Sequence, residues 1–313
     1  MKIIHIRNIA NVAFNLSMQQ KKMDHKVVIL NITEDYTSEK VDISLDLPLK
    51  YSRNDLFSRF KTISTSLLKV VQEGDFDVFH LHDAGIFPQN VDIPLFFKRR
   101  GKVVVHWHGS KLRRGFREKA YGSRCADAEI VSTPDLMDFA PEAIWIPNCI
   151  PWHGLEKINR DDEKIIIGHA PTNRKLKGTE YFIEAMDELK TVYPNVECLL
   201  IENKPHKEAL RLLQTCDIVV DSVGLGWYGV LTNEVQQMGI PCCVTIKPEL
   251  EQFIKKPSGI VNVSPENLKQ KLEELILDES LRIKLGKHGK EYVNRVHNSE
   301  DIVKKIQIIY DSI

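Results

Sequence analysis

Short runs of β-branched and aliphatic residues recur along the chain, and polar positions return between them at helical or loop spacing. KIIHIR, KVVILNI, DVFHLH, KVVVHWHG, EIVST and IWIPN fill the first half. Near-continuous apolar runs bounded by loops or helices are what strands buried on both faces of a parallel sheet require. Helices are predicted over residues 11–23 and 54–71, so this half reads as a doubly wound α/β unit.

A polar stretch, LEKINRDDEK, follows IPNCIPWHG, and the alternation then restarts with IIIGHAP, ECLLIEN, IVVDSV, PCCVTI and GIVNV. A helix is predicted over residues 179–192, with Phe182, Ala185, Leu189 and Val192 at helical intervals. Ser264 and Ser299, each followed by acids, read as helix N-caps. From Ser299 onward, Ile302, Ile306, Ile309 and Ile313 form one apolar stripe that needs a packing partner. The division predicted is residues 1–155, residues 156–298 and a last helix over 299–313.

Composition adds limits. A chain of 313 residues exceeds one ordinary core, and 42% hydrophobic with 27% charged residues is ordinary for a soluble globular protein. Lysine plus arginine equals aspartate plus glutamate, 43 against 43, and no nucleic-acid-binding motif appears, so nucleic acid is not an expected partner. Locally, nine basic residues and one acid lie between Lys98 and Lys119. That run suits a peripheral contact with anionic lipid or a phosphate-bearing acceptor, and equally a solvated face offset by acids elsewhere. MKIIHI has no signal-peptide pattern, no stretch reaches membrane-spanning length, and the six cysteines lack metal spacing. The expectation is a cytoplasmic protein with buried thiols, possible membrane contact being confined to the inner face.

Ligands of parallel sheets bind at the carboxyl ends of the strands, so the chemistry is sought there. His80 and His82 close one strand and His106 and His108 another, each pair on one side of its strand. Such a pair chelates a metal only if a third ligand is placed in space, so no metal is expected and imidazoles with backbone partners are the plainer reading. HGSKLRRG after His108 is a turn able to present backbone donors. Arg174 and Lys177 in GHAPTNRKLKGTEYF precede a helix N-terminus, a place suited to a pyrophosphate, or are two solvated surface cations. VGLGWYG lets bare backbone approach a ligand before a helix that carries Glu234, a carboxylate able to accept two ribose hydroxyls.

Together these segments resemble the retaining glycosyltransferases of family four, almost from end to end. RNIANVAFNLS is similar to their first loop without its usual glycines; DVFHLH and VVVHWHGSKLR are similar to their histidine-bearing strands. VSTPDL and AIWIPNCI resemble the close of their first domain, and RKLKGT their phosphate-binding loop. GWYGVLTNEVQQMGIP resembles their signature of two glutamates eight positions apart; Glu234 matches the second, while Gly226 stands where the first is usual. The resemblance implies an α/β GT-B fold, two Rossmann-like domains facing across a central cleft. It implies a hinge near Trp152 and a last helix crossing back to the first domain.

The activity implied is transfer of a hexose or related sugar from a UDP- or GDP-linked donor to a hydroxyl of a glycan or lipid-linked acceptor. The anomeric configuration is retained, and neither cofactor nor metal takes part. His108, Arg174, Lys177 and Asp221 would be catalytic, Asp221 standing in for the carboxylate missing at Gly226. Asp221→Asn would then spare nucleotide binding and slow turnover. Glu234, Gly229, Val230, Tyr228 and Glu202 would hold the donor. Asn11, His82, Gly109 and Ser110, with loops over residues 35–55 and 84–93, would serve the acceptor. A catalytically degenerate sugar-nucleotide binder and a sugar-nucleotide epimerase are the alternative readings.

Overall fold

The computed structural model describes residues 1–33, 41–47, 64–65, 68, 70, 74–109, 111–150, 154–160 and 162–313. The helix expected over 54–71, the acceptor segment 35–55, Ser110 and Trp152 lie wholly or partly outside them. Two compact units form: Met1–Cys149 with Ser299–Ile313, and Ile150–Asn298. The chain leaves the first unit after Cys149, six residues before the boundary expected at 155.

The first unit is a parallel sheet of seven strands, β1 (Lys2–Ile6), β2 (Lys26–Thr33), β3 (Ile43–Leu47), β4 (Val78–His82), β5 (Lys102–Trp107), β6 (Ala128–Val131) and β7 (Ile144–Trp145). Their order is β3-β2-β1-β4-β5-β6-β7. Chain direction across the sheet therefore reverses between β1 and β4, the crevice where such sheets take ligands. All the expected strands are present; β3, unsuspected in ISLDL, pairs with β2 at Leu30↔Ile43. Side chains alternate as the pleat demands. Phe79, Leu81, Val105 and Trp107 fill one face, while Val78, Val104 and Ile130 fill the other against α1 (Val12–Lys22) and a C-terminal helix, Ser299–Ser312.

The second unit is a parallel sheet of five strands, β8 (Ile165–His169), β9 (Val196–Leu200), β10 (Ile218–Ser222), β11 (Cys242–Val244) and β12 (Ile260–Asn262), in the order β12-β11-β10-β8-β9. Its reversal lies between β8 and β10. Phe182, Ala185 and Leu189 pack on one face with Val220 and Ile218, whereas Val219 packs on the other with Leu210, Leu213 and Val235. The cysteines are all free thiols; Cys149, Cys216, Cys242 and Cys243 are buried as expected, but Cys125 is exposed.

Among the described residues, the helices traced from end to end after α1 are, in chain order, α2 (Asp92–Leu95), α3 (Phe116–Lys119), α4 (Arg174–Lys177), α5 (Thr179–Val192), α6 (His206–Leu213) and α7 (Val230–Gln237). They continue with α8 (Leu268–Leu277), α9 (Glu279–Val296) and α10 (Ser299–Ser312). The apolar stripe of α10 finds its partner here: Ile302, Ile306, Ile309 and Tyr310 are buried against Ile3, Leu16 and Val78 of the first unit. Ile306→Ala should lower the unfolding free energy by about 2–5 kcal/mol, the range for truncating a buried aliphatic side chain. Ile308→Ala, on the exposed side of the same helix, should change it by less than about 0.5 kcal/mol. Urea denaturation of the two variants checks both.

Candidate active site

Lys177 ends the single turn of α4, just after β8. Gly178 stops that turn at φ 65°, and a Cβ there would lie 2.3 Å from the Val223 carbonyl oxygen, so only glycine allows the turn to press on the exit of β10. The Val223 N–H in turn donates to the Lys177 carbonyl at 3.0 Å. Pinned this way, Lys177 Nζ reaches Asp221 Oδ1 at 2.5 Å, across the strand reversal of the second sheet.

Asp221 is fully buried. Its second oxygen accepts from Thr232 Oγ1 at 2.7 Å and from the Gly229 N–H at 3.2 Å. Burial pushes its pKa up, but the Lys177 charge and these donors outweigh burial and hold it below its ordinary value. A Cβ on Gly229 would stand 3.6 Å from Asp221 Oδ2 and 3.8 Å from Lys177 Nζ, so the start of α7 passes beside the ion pair. An ammonium has three donors, and among the described residues Asp221 takes one. The result is a fixed positive group next to a helix N-terminus, an arrangement suited to phosphate oxygens.

Asp221 is thus not placed as a free acid at a sugar. Its carboxylate is enclosed and spent on Lys177, Thr232 and Gly229, which corrects the expectation that it replaces the missing glutamate. The conformation at Gly226 explains that absence: φ is 99°, a region L side chains rarely adopt, and a Cβ would meet the Lys247 side chain at 2.8 Å.

Arg174, at the other end of α4, is half-exposed and makes a two-pronged pair with Glu202, Nε to Oε1 at 2.8 Å and Nη2 to Oε2 at 2.7 Å. Glu180 lies 3.4 Å from its Nη1. Glu202, expected at the donor, is therefore the partner of the expected phosphate ligand. Glu234 is buried in α7 and accepts from His206 Nε2 at 2.8 Å. His206 was missed, although its position at the start of a helix just beyond β9 is the signal that singled out Arg174. Val230 opens α7 and is partly exposed.

Tyr228 departs from expectation. It stacks on Trp227 with ring centroids 4.7 Å apart, both are buried, and its hydroxyl meets Tyr292 Oη at 2.8 Å and His297 Nε2 at 3.0 Å. The aromatic corner fastens the β10–α7 turn to α9 and sends the Tyr228 hydroxyl inward, to Tyr292 and His297.

In the first unit the histidines form a buried group larger than the sequence showed. His5 of β1 lies in register with His80, and His82 with His106. His5 Nε2 donates to Gln20 Oε1 at 2.8 Å; His5 Nδ1 lies 3.0 Å from His82 Nε2, and His82 Nδ1 lies 2.8 Å from His108 Nε2. A second row runs from Tyr310 Oη to His80 Nδ1, 2.5 Å, and from His80 Nε2 to His106 Nδ1, 3.2 Å. His82 is fully buried and both its nitrogens are engaged, so it presents nothing to an acceptor. His5, Gln20 and Tyr310 were overlooked; a polar residue inside an apolar strand was the available clue at His5.

Around this group the loops are tightly held. The His108 N–H donates to Asp83 Oδ1 at 2.6 Å and is not a free turn donor. Gly109 has φ 112°, and a Cβ on it would meet Arg113 Nη1 at 2.5 Å. Asn11, expected on the acceptor side, occupies the N-cap position of α1 at φ 58° without a side-chain capping bond, and its Oδ1 accepts from Asn8 Nδ2 at 3.2 Å. Arg7, Ala10 and Asn11 all have positive φ, 74°, 47° and 58°, so the first loop keeps left-handed geometry without the glycines. Within the basic run, Lys98 pairs with Asp127, Arg113 with Asp135 and Arg117 with Glu129, which offsets three of its nine positive charges, while Lys102 donates to the Tyr310 carbonyl.

Burial lowers the pKa of His5 from 6.5 to about 4, and those of His80, His82 and His106 well below 6.5. An unfolded chain takes up protons at such sites near pH 6.5, whereas the folded chain does so only at lower pH. Stability is therefore complete above about pH 6.5 and falls below it, by roughly 1.4 kcal/mol per pH unit per histidine. The urea midpoint at pH 5 should lie far below that at pH 7.5; equal midpoints would mean that these rings are solvated.

No protein-family model matches the chain, and no curated protein matches it. Solved structures do. Sucrose-phosphate synthase from Thermosynechococcus elongatus superposes with a TM-score of 0.74 at 14% identity, over 100% of this chain and 98% of that one. HepE from Anabaena in complex with UDP and glucose gives 0.71 at 12% identity, over 100% of both chains. UDP-GlcNAc 2-epimerase from Neisseria meningitidis bound to UDP-GlcNAc gives 0.62 at 14% identity, again over 100% of both. With parallel sheets of seven and five strands flanked by helices, the chain has the GT-B fold.

Proposed function

We propose that this protein transfers a sugar from a nucleotide-sugar donor, UDP- or GDP-linked, to an acceptor hydroxyl with retention of configuration, in glycan, polysaccharide or glycolipid synthesis. The observation that carries the reading is the Lys177 ammonium, fixed by buried Asp221 beside the N-terminus of α7 at the strand reversal of the second sheet. The UDP of the HepE complexes and the UDP-GlcNAc of the epimerase complex belong to proteins of the same fold and favour a uridine nucleotide.

In this reading the donor diphosphate lies on Lys177 and the first N–H groups of α7. As the glycosidic bond breaks, negative charge grows on the diphosphate, and a cation already fixed in place stabilises it without reorganising. Arg174 adds a second cation, oriented by Glu202 until phosphate takes up part of its donor set. Glu234 accepts from the ribose hydroxyls in place of His206. Fixed cations and helix N–H groups fill the role that a metal ion fills in other transferases. Asp221 acts through Lys177 and is a positioning residue. The basic run supports a lipid-linked acceptor through the exposed cations outside those ion pairs, Arg99, Arg100, Arg114 and Lys119.

A thermal-shift panel of UDP, GDP, ADP and their sugars tests the donor. UDP at about 100 times its Kd should stabilise the folded state by about 2.7 kcal/mol, a rise of several degrees. If no nucleotide shifts the transition, the reading fails. Conversion of UDP-GlcNAc to its epimer without acceptor would establish the epimerase alternative, and binding without transfer or hydrolysis the degenerate one.

Lys177→Ala should weaken UDP binding by about tenfold or more, the loss of one charge-assisted contact to phosphate. Asp221→Asn should raise KM for the donor and lower kcat together, because Lys177 loses its anchor. Unchanged nucleotide affinity by calorimetry in Asp221→Asn would return that residue to the sugar.

A further inference from the structure

Two hydrogen-bonded rows cannot satisfy every nitrogen of the histidine group in the first unit. Gln20 Oε1 accepts from His5 Nε2, so His5 Nδ1 must accept from His82 Nε2, and His82 Nδ1 is left as a lone pair facing His108 Nε2. In the second row, His80 holds His106 through Nδ1. Whichever of those two rings donates, His106 Nε2 is buried with no hydrogen-bond partner among the described residues. The ring itself is 1% exposed, so water does not reach it from bulk.

We propose that His82, His106 and His108 bind a divalent transition-metal ion of the zinc class, His82 through Nδ1, His108 through Nε2 and His106 through its unpartnered Nε2. The three rings each offer a nitrogen, all within 4.8 Å of one another. This is the third ligand that a His-x-His pair lacks in sequence, supplied because β4 and β5 are neighbours with His82 and His106 in register. Metal–nitrogen bonds of about 2.0–2.1 Å in a tetrahedral site set ligand nitrogens about 3.3 Å apart. His82 Nδ1 and His108 Nε2, now 2.8 Å apart, need to part by only about 0.5 Å.

The surroundings fit the ligand roles. A ligating imidazole is oriented by a partner on its other nitrogen. His82 has His5 Nδ1, itself fixed by Gln20, and His106 has His80 Nε2, itself fixed by Tyr310; His108 Nδ1 is buried without a hydrogen-bond partner among the described residues. Three ligands from three imidazoles leave a fourth position open and suit zinc, cobalt, nickel or copper rather than magnesium or calcium. Burial keeps these rings neutral near pH 7, the form in which imidazole binds metal. The site belongs to the first unit and is independent of the donor site proposed in the second.

The test is calorimetric titration of zinc chloride into the full, untagged chain, freed of metal by a chelator that is then removed, with magnesium chloride as the comparison. One equivalent of zinc should bind with micromolar or tighter Kd, magnesium should not bind, and cobalt should give the intense visible bands of a tetrahedral ion. His106→Gln should weaken zinc binding by more than about 100-fold, beyond the 10–100-fold expected of the outer partner in His5→Gln. His288→Gln, outside the group, should bind as the unaltered chain does. No saturable zinc binding by the unaltered chain overturns the proposal, whether or not the variants fold, and so does full affinity in a folded His106→Gln. UDP binding with and without chelator reads the second unit separately.

Discussion

A lysine ammonium and an aspartate carboxylate meet where the chain leaves two neighbouring parallel strands of the second sheet, β8 and β10, for connections that run opposite ways across it, and the rest of the candidate site is arranged around them. Neither group could be buried there alone: a lone carboxylate in the interior would be driven to protonate, and a lone ammonium would turn to solvent. Together, with Thr232 and the Gly229 N–H completing the carboxylate's shell, they hold one cation still beside the start of α7. Gly178 is needed for that proximity because only glycine fits against Val223, while Gly229 contributes its N–H to the carboxylate.

The aromatic corner serves the same end by other means. Trp227 and Tyr228 immobilise the turn between β10 and α7 through the stack and the Tyr228–Tyr292–His297 hydroxyl and imidazole contacts. A phosphate-binding helix start is useful only if its N–H groups stay aimed, and a turn rich in glycine would not do this unaided. Gly226 belongs to the same turn. Its positive φ is strained for any L side chain, a glutamate included.

The first unit solves a different problem. Five imidazoles on β1, β4 and at the end of β5 face α1 and α10, in a layer that the pattern of the other strands would fill with aliphatic side chains. Each ring needs a partner for each nitrogen, and Gln20 from α1 and Tyr310 from α10 supply the ends of the two rows. Keeping such a group neutral and buried predicts a loss of stability below about pH 6.5. Its place in a layer where valine would pack well, with His106 Nε2 left unpartnered among the described residues, is the reason to read it as a site.

Among the described residues, periodicity in the sequence was enough for eleven of the twelve strands and for α1, α5 and α10, because burial on one face repeats at the spacing of the element itself. Motif spacing was likewise enough to bring Arg174, Lys177 and Glu234 forward, since each follows a strand at a sheet's carboxyl end. What periodicity carries no record of is which distant residue stands opposite. That Asp221 faces Lys177 and not solvent, that Tyr228 points inward, and that His5, Gln20 and Tyr310 converge on His80 and His82 depend on strand order, register and helix docking. Those are properties of elements far apart in the chain, set only when the sheet is assembled and its faces are covered.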